Sequence, residues 1–286
     1  MPIAADLFGL TDPGKVRDRN EDQFLIAELS KSLLIVQTSL AQEDHTRLFG
    51  GPPGTLLVVA DGMGGVRGGK RASRLVVETV IRHVLDTMHW FFRLQQGEES
   101  DLIEELRIGL VACQKAVEAA ASDHPEHDRM GTTLTLAYVL WPRAYVIHAG
   151  DSRAYLCRGG ELQQVTRDHT VAQRMVDQGV LTPEAAENTR WAHTLSSCIS
   201  ARPEALQTDI FRVALQVGDT LLLCTDGLAK PIGDAAIAGH LARTPTDGAE
   251  PVARRLVNAA NDAGGPDNIT VVVGHFRPAA ERPVTP

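Results

Sequence analysis

Two hydrophobic periods divide the 286-residue chain into predicted elements. Short aliphatic or β-branched runs, bounded by Gly, Pro or Asp, predict strands over Thr55–Ala60, Thr132–Leu140, Ala144–Ala149, Thr220–Cys224 and Ile269–Gly274. A helical period predicts a helix over Lys70–Trp90, with Ala72, Val76, Val80, Val84 and Met88 on one stripe. A second covers Asp101–Ala121, with Leu102, Leu106, Leu110, Cys113 and Val117 on its stripe. A third, Ala249–Asp262, runs into a Gly-Gly-Pro stop. Gln37–Gly54, rich in polar residues, Gly and Pro, reads as an extended loop, and Arg277–Pro286 as a disordered tail. Two helices come early, strands fill the middle, and short helices precede the last strand. Without regular β-α alternation a doubly wound parallel sheet is disfavoured, and sheets packed on each other under a cover of helices explain the order better. No internal repeat or long linker divides the chain.

Composition narrows the class. The formal net charge of −8 opposes a general nucleic-acid binder, although acidity by itself can serve solubility alone. Cys113, Cys157, Cys198 and Cys224 form no Cys-x-x-Cys pair, so neither a zinc site nor a disulfide framework is expected, and a reducing cytoplasm fits. Apolar runs such as Leu221–Cys224 fall far short of the ~20 residues of a membrane span. Met1–Gly9 lacks the basic start of a signal peptide.

The chemistry lies where apolar runs end. Leu56–Ala60 leads into Asp61-Gly62, Tyr145–Gly150 into Asp151, and Leu221–Thr225 into Asp226-Gly227; Asp267-Asn268 directly precedes Ile269. One carboxylate beside a glycine is ordinary turn chemistry. Several at adjacent ends of one sheet would repel one another unless a cation intervened. Oxygen-only ligands favour magnesium or manganese over zinc, and a glycine offers an unobstructed carbonyl as a further ligand. Upstream, Val16–Asp22 holds Arg17, Asp18, Arg19, Glu21 and Asp22. That segment reads either as a solvated charged loop or as an arginine fork for phosphate oxygens set beside acids.

At these residues the sequence resembles the metal-dependent protein phosphatases, the type 2C serine/threonine family, and in particular their bacterial branch. The resemblance runs through Arg17 with Asn20-Glu21-Asp22, Ala60–Gly65, Met130–Thr133, His148–Arg153, Thr225–Leu228 and Gly265–Thr270, in the family's order. It implies an α+β fold: a four-layer α-β-β-α sandwich of two mainly antiparallel sheets flanked by helices, with the metal site at one end. It further implies a single catalytic domain over residues 1–276, with 166–203 as a flap region beside the site. By position, Asp61 bridges two metals, the Gly62 carbonyl binds one, and Asp226 and Asp267 bind the other. Asp151 with Asp226 matches a third-metal site, Arg17 the phosphate-binding arginine, and Glu21 and Asp22 approach the metals through water. The expected cofactors are two manganese or magnesium ions with a third. The expected partners are phosphoprotein substrates, including a serine/threonine kinase or its targets, and the expected state is monomeric. Two-metal chemistry implies direct attack of activated water on phosphorus, consistent with no Cys followed six residues later by Arg.

The sequence also departs from the family. Met63 stands where eukaryotic members often carry histidine, Thr225 replaces the usual Ser, and Ser197–Pro203 lacks the bacterial pattern. Two other readings compete. Gly64-x-x-x-x-Gly69-Lys70 suggests a nucleotide-binding P-loop, but Arg71 follows where Ser or Thr is required. A non-catalytic binding module on the phosphatase fold is expected to lose metal aspartates, which this chain keeps. His124 and His127 flank Pro125 without a further ligand and read as an exposed loop.

Overall fold

The computed structural model describes residues 3–37, 39, 47–64, 68–91, 99–122, 128–187, 189–202 and 206–279. His124 and His127 lie outside them, as do residues 40–46 and 280–286.

Two five-stranded antiparallel sheets face each other. The first, in order, is β1 (Ile3–Asp12), β13 (Ile269–Pro278), β12 (Thr220–Cys224), β8 (Arg153–Arg158) and β9 (Glu161–Gln164). The second is β11 (Asp209–Ala214), β7 (Arg143–Ala149), β6 (Leu134–Leu140), β3 (Arg47–Ala60) and β2 (Gln23–Leu34). A three-stranded ribbon, β10 (Ile199–Ser200), β5 (Gly131–Thr132) and β4 (Gly62–Met63), joins the second sheet to the flap region.

The period-two alternation explains the layering. In β3, Leu56, Val58 and Ala60 pack under α1 (Gly68–Phe91) and α2 (Glu99–Ser122), while Leu57 and Val59 face the opposite sheet. In β13, Val271 and Val273 pack against α5 (Asp226–Leu241) and α7 (Ala249–Asp262), while Val272 and Phe276 face inward. Three apolar cores thus separate four layers, which is the α-β-β-α sandwich. Strands buried on both faces read as continuous apolar runs, which is why their ends stand out in the sequence.

Two expectations need correction. Residues 47–54 are not loop: β3 begins at Arg47 and pairs with β2 along a long hairpin whose register shifts between Leu29 and Lys31. The Gly-Pro content suggested a loop, but an edge hairpin tolerates such residues. Arg277 and Pro278 are not tail either; they extend β13 opposite Ala4 and Ile3. The predicted helix over 249–262 matches α7, whereas β1, β2, β8, β9, β11 and α5 were not anticipated. The α5 segment hides its period behind Pro231 and a kink at Gly233, where φ is 70°.

Candidate active site

Strand direction brings the carboxylates together. The end of β1 pairs with the start of β13, the start of β2 with the end of β3, and the end of β12 with the starts of β8 and β13. The connections Pro13–Asp22, Asp61, Gly150–Ser152, Thr225–Asp226 and Asp267–Asn268 therefore crowd one end of the sandwich. There they surround an open cleft of about 1070 Å³, lined by Arg17, Glu21, Asp61, Gly62, Asp151, Asp226 and Asp267. The candidate residues Arg17, Asp61, Gly62, Asp151, Asp226 and Asp267 all line it, and Glu21 joins them.

Backbone hydrogen bonds anchor Asp61 and the β1–β2 connection. The Asp61 N–H donates to Thr133 Oγ1 (3.0 Å), and its carbonyl accepts from Thr132 Oγ1 (2.8 Å) and the Thr133 N–H (2.9 Å). Asn268 ties the β1–β2 connection down: its Nδ2 donates to the carbonyls of Pro13 (3.0 Å) and Arg19 (2.8 Å), and its Oδ1 accepts the Glu21 N–H (2.9 Å). Gly62 is required by packing, since a Cβ there would collide with the carbonyls of Gly69 and Glu21. The P-loop reading fails at the same place. A Cβ at Gly69 would meet the Glu21 carboxylate, and the Lys70 N–H hydrogen-bonds to Glu21, so an acid already caps the start of α1.

Asp22 does not line the cleft. It is 2% exposed and buried behind it, where Oδ2 accepts from Thr225 Oγ1 (2.9 Å) and Thr270 Oγ1 (2.6 Å), while Oδ1 has no partner. The Thr225 hydroxyl also accepts the Thr270 N–H (3.0 Å). Thr and Ser both supply that hydroxyl, which accounts for the departure at Thr225.

The charges explain the electrostatics. Burial, reinforced by repulsion from Asp22, Asp226, Asp151 and Asp267, pushes the Asp61 carboxyl well above the usual range. Burial first, then Asp226 and Asp267, lifts Asp22 to about 7 despite its two threonine hydrogen bonds. Asp151 rises to about 6 through burial and Asp226, opposed by Lys230. Two cations answer part of this charge. Arg17 Nη2 donates to Asp267 Oδ2 at 2.7 Å, and Lys230 Nζ spans Asp226 Oδ2 (2.6 Å) and Asp151 Oδ2 (2.9 Å). The Lys230 pairing escaped the sequence reading. Its signal was a lysine four residues after an aspartate at a helix start.

Among the described residues no trio of Asp, Glu, His or Cys is gathered closely enough to hold an ion as placed; three of the aspartates are instead paired with Lys230 and Arg17. The donor chemistry nonetheless fits a hard divalent cation. Every donor is oxygen, Asp226 Oδ1 is buried without a hydrogen-bond partner, and no cation among the described residues pairs with Asp61.

The flap region is fastened beside Asp151. The His169 N–H donates to the Gly150 carbonyl (2.6 Å), and Arg153 forks onto Asp168 (Nε at 2.9 Å, Nη2 at 2.8 Å). Past α3 (Val171–Asp177) and α4 (Pro183–Glu187), His193 and Leu195 return to the cleft wall. The divergent stretch after Ser197 still closes the ribbon, with Gln114 bonding both backbone groups of Ser200.

A carboxylate cleft at the end of a two-sheet sandwich defines an oxygen-donor centre suited to hard divalent ions. The chain belongs to the protein phosphatase 2C family, whose sequence model, described as "Protein phosphatase 2C", matches residues 35–269. It is 39% identical over 218 residues to the serine/threonine protein phosphatase PstP of Mycobacterium tuberculosis, a match covering 76% of this chain and 40% of PstP. The chain thus spans about two fifths of that relative's length. It is 30% identical over 265 residues to the serine/threonine phosphatase Stp of Listeria monocytogenes, covering 92% of each. The solved catalytic domain of PstP in complex with two manganese ions superposes with a TM-score of 0.72 at 30% identity, over 97% of this chain and 100% of that one.

Proposed function

We propose that the chain through the end of β13 at Pro278 forms one catalytic domain that hydrolyses phosphoserine and phosphothreonine on other proteins. The observation that carries this reading is the convergence of Asp61, Asp151, Asp226, Asp267 and Arg17 on one open cleft, in a fold shared with serine/threonine phosphatases. Asp61, the Gly62 carbonyl, Asp226 and Asp267 would hold two manganese or magnesium ions. Such ions, when bound, polarise a phosphoryl oxygen and lower the pKa of water.

The remaining work falls to side chains. Arg17 is exposed and spends one terminal nitrogen on Asp267, leaving guanidinium N–H groups free for a pair of phosphoryl oxygens. Asp267 thereby aims the fork as well as offering a ligand. The cleft's openness admits a phosphorylated side chain presented by another protein. A cysteine nucleophile is opposed by burial, which pushes the Cys113 and Cys224 thiols up to about 12. A non-catalytic module is opposed by the retained aspartates, whose crowding Arg17 and Lys230 relieve only in part and a bound divalent cation would relieve further.

This activity calls for a phosphorylating partner, a serine/threonine kinase or its targets. The same reading has the protein act as a monomer in the cytoplasm, where cysteines such as Cys113, Cys157 and Cys224 stay reduced. The test is hydrolysis of a phosphothreonine peptide with manganese, magnesium or chelator. Manganese should serve at least as well as magnesium, and undiminished turnover after exhaustive chelation would overturn the proposal.

A further inference from the structure

Lys230, paired with two of the cleft's aspartates, has no task in the proposed chemistry. It stands one turn into α5, four residues after Asp226, and its side chain is 24% exposed. Pro231 follows it directly, and Gly233 breaks the helix two residues later, so this first turn is a separate short segment. The Asp226 pairing is therefore local to that turn, whereas the Asp151 pairing reaches across to the end of β7.

We propose that the Lys230 ammonium is a built-in cation that occupies the Asp151–Asp226 edge of the cleft and excludes a divalent ion from it. The proposal rests on the phosphatase reading above. It replaces the third ion that the family resemblance assigns to these two aspartates.

Three observations carry it. First, the ammonium uses one oxygen from each carboxylate, Oδ2 in both, at 2.6 and 2.9 Å. A divalent ion bridging the pair would need oxygens at roughly 2.0–2.2 Å and would meet the ammonium's positive charge there. Second, the arginines that form ion pairs at this end point at other carboxylates: Arg153 at Asp168 and Arg17 at Asp267. Lys230 alone, among the described hydrogen bonds and ion pairs, answers the charge of Asp151. Third, the lysine consumes only half of Asp226. Its other oxygen, Oδ1, is buried without a hydrogen-bond partner and stays open to an ion shared with Asp267 or Asp61. The division is chemical: Oδ2 to the lysine, Oδ1 to metal.

The test counts bound manganese on the full chain, by isothermal titration and by the paramagnetic signal of unbound ion. Metal-free melting provides an independent readout. Wild type should take up two ions per chain and Lys230→Met three, because the stem remains while the charge is lost. Lys230→Arg, which keeps a cation, should return to two. Without metal, Lys230→Met should melt below wild type, since Asp151 and Asp226 then repel unshielded, and manganese should raise its melting temperature more than that of wild type. Three ions on wild type would overturn the proposal even if Lys230→Met did not fold. Two ions on a folded Lys230→Met would overturn it as well. If wild type and Lys230→Met both bound no manganese, the phosphatase reading itself would fall, a result distinct from either count.

Discussion

Asp22 is the most informative residue to perturb without touching the cleft wall. Its carboxyl rises from an ordinary 3.8 to about 7 in the metal-free fold. Because the folded value exceeds the unfolded one, the native state binds more protons between these limits. Its stability contribution is complete below about pH 4 and is lost as pH rises through about 7. The rise corresponds to about 4 kcal/mol of native-state cost when Asp22 is ionised. Asp22→Asn removes that cost; the hydrogen bonds from Thr225 and Thr270 already hold the carboxyl down to about 7, so the net gain stays near ~4 kcal/mol. Urea unfolding of metal-free protein should find the variant more stable by about 4 kcal/mol at pH 8. At pH 5 wild-type Asp22 is mostly neutral in the fold but mostly ionised when unfolded, so the advantage should shrink to about 2 kcal/mol. An equal difference at both pH values would refute the reasoning, because an effect of packing alone does not titrate. A variant less stable at pH 8 than at pH 5, relative to wild type, would reverse the sign and refute it more directly.

Asp226→Ala and Asp267→Ala should each cut phosphopeptide hydrolysis more than tenfold, about 1.4 kcal/mol of barrier, while circular dichroism stays native; a milder loss removes that residue from the ligand set. Arg17→Ala should raise KM for phosphopeptide and leave manganese affinity near wild type, with Arg17→Lys recovering only part because a point charge replaces a fork. Arg19, whose backbone carbonyl takes the Asn268 bond, is the control, and equal damage from Arg19→Ala would show that the wrong arginine was chosen. Gly227→Ala should destabilise the fold by about 2–3 kcal/mol, because its Cβ would land on the Asn268 carbonyl; an unchanged urea midpoint would contradict that packing.

What the sequence determined by itself was the set of strand ends carrying carboxylates. Strands buried on both faces must be continuous apolar runs, so Asp61, Asp151, Asp226 and Asp267 mark their boundaries without any knowledge of the partners. Helices α1, α2 and α7 were legible for a related reason: each buries one stripe, and a stripe repeats at the helical period. The half-buried edge strands β1 and β2 carried no such contrast, every residue of β1 being only partly buried. Pairing alone made Arg47–Gly54 a strand, and pairing is a property of two segments. The same holds for the site's finer wiring. That Asp22 sits behind the cleft under two threonines, 203 and 248 residues away along the chain, is a fact of tertiary packing. So is the reach of Lys230 to Asp151, 79 residues distant. Local sequence records which faces must leave water, because burial selects residue type at each position. Which charge answers which is decided only when the strand ends are brought side by side.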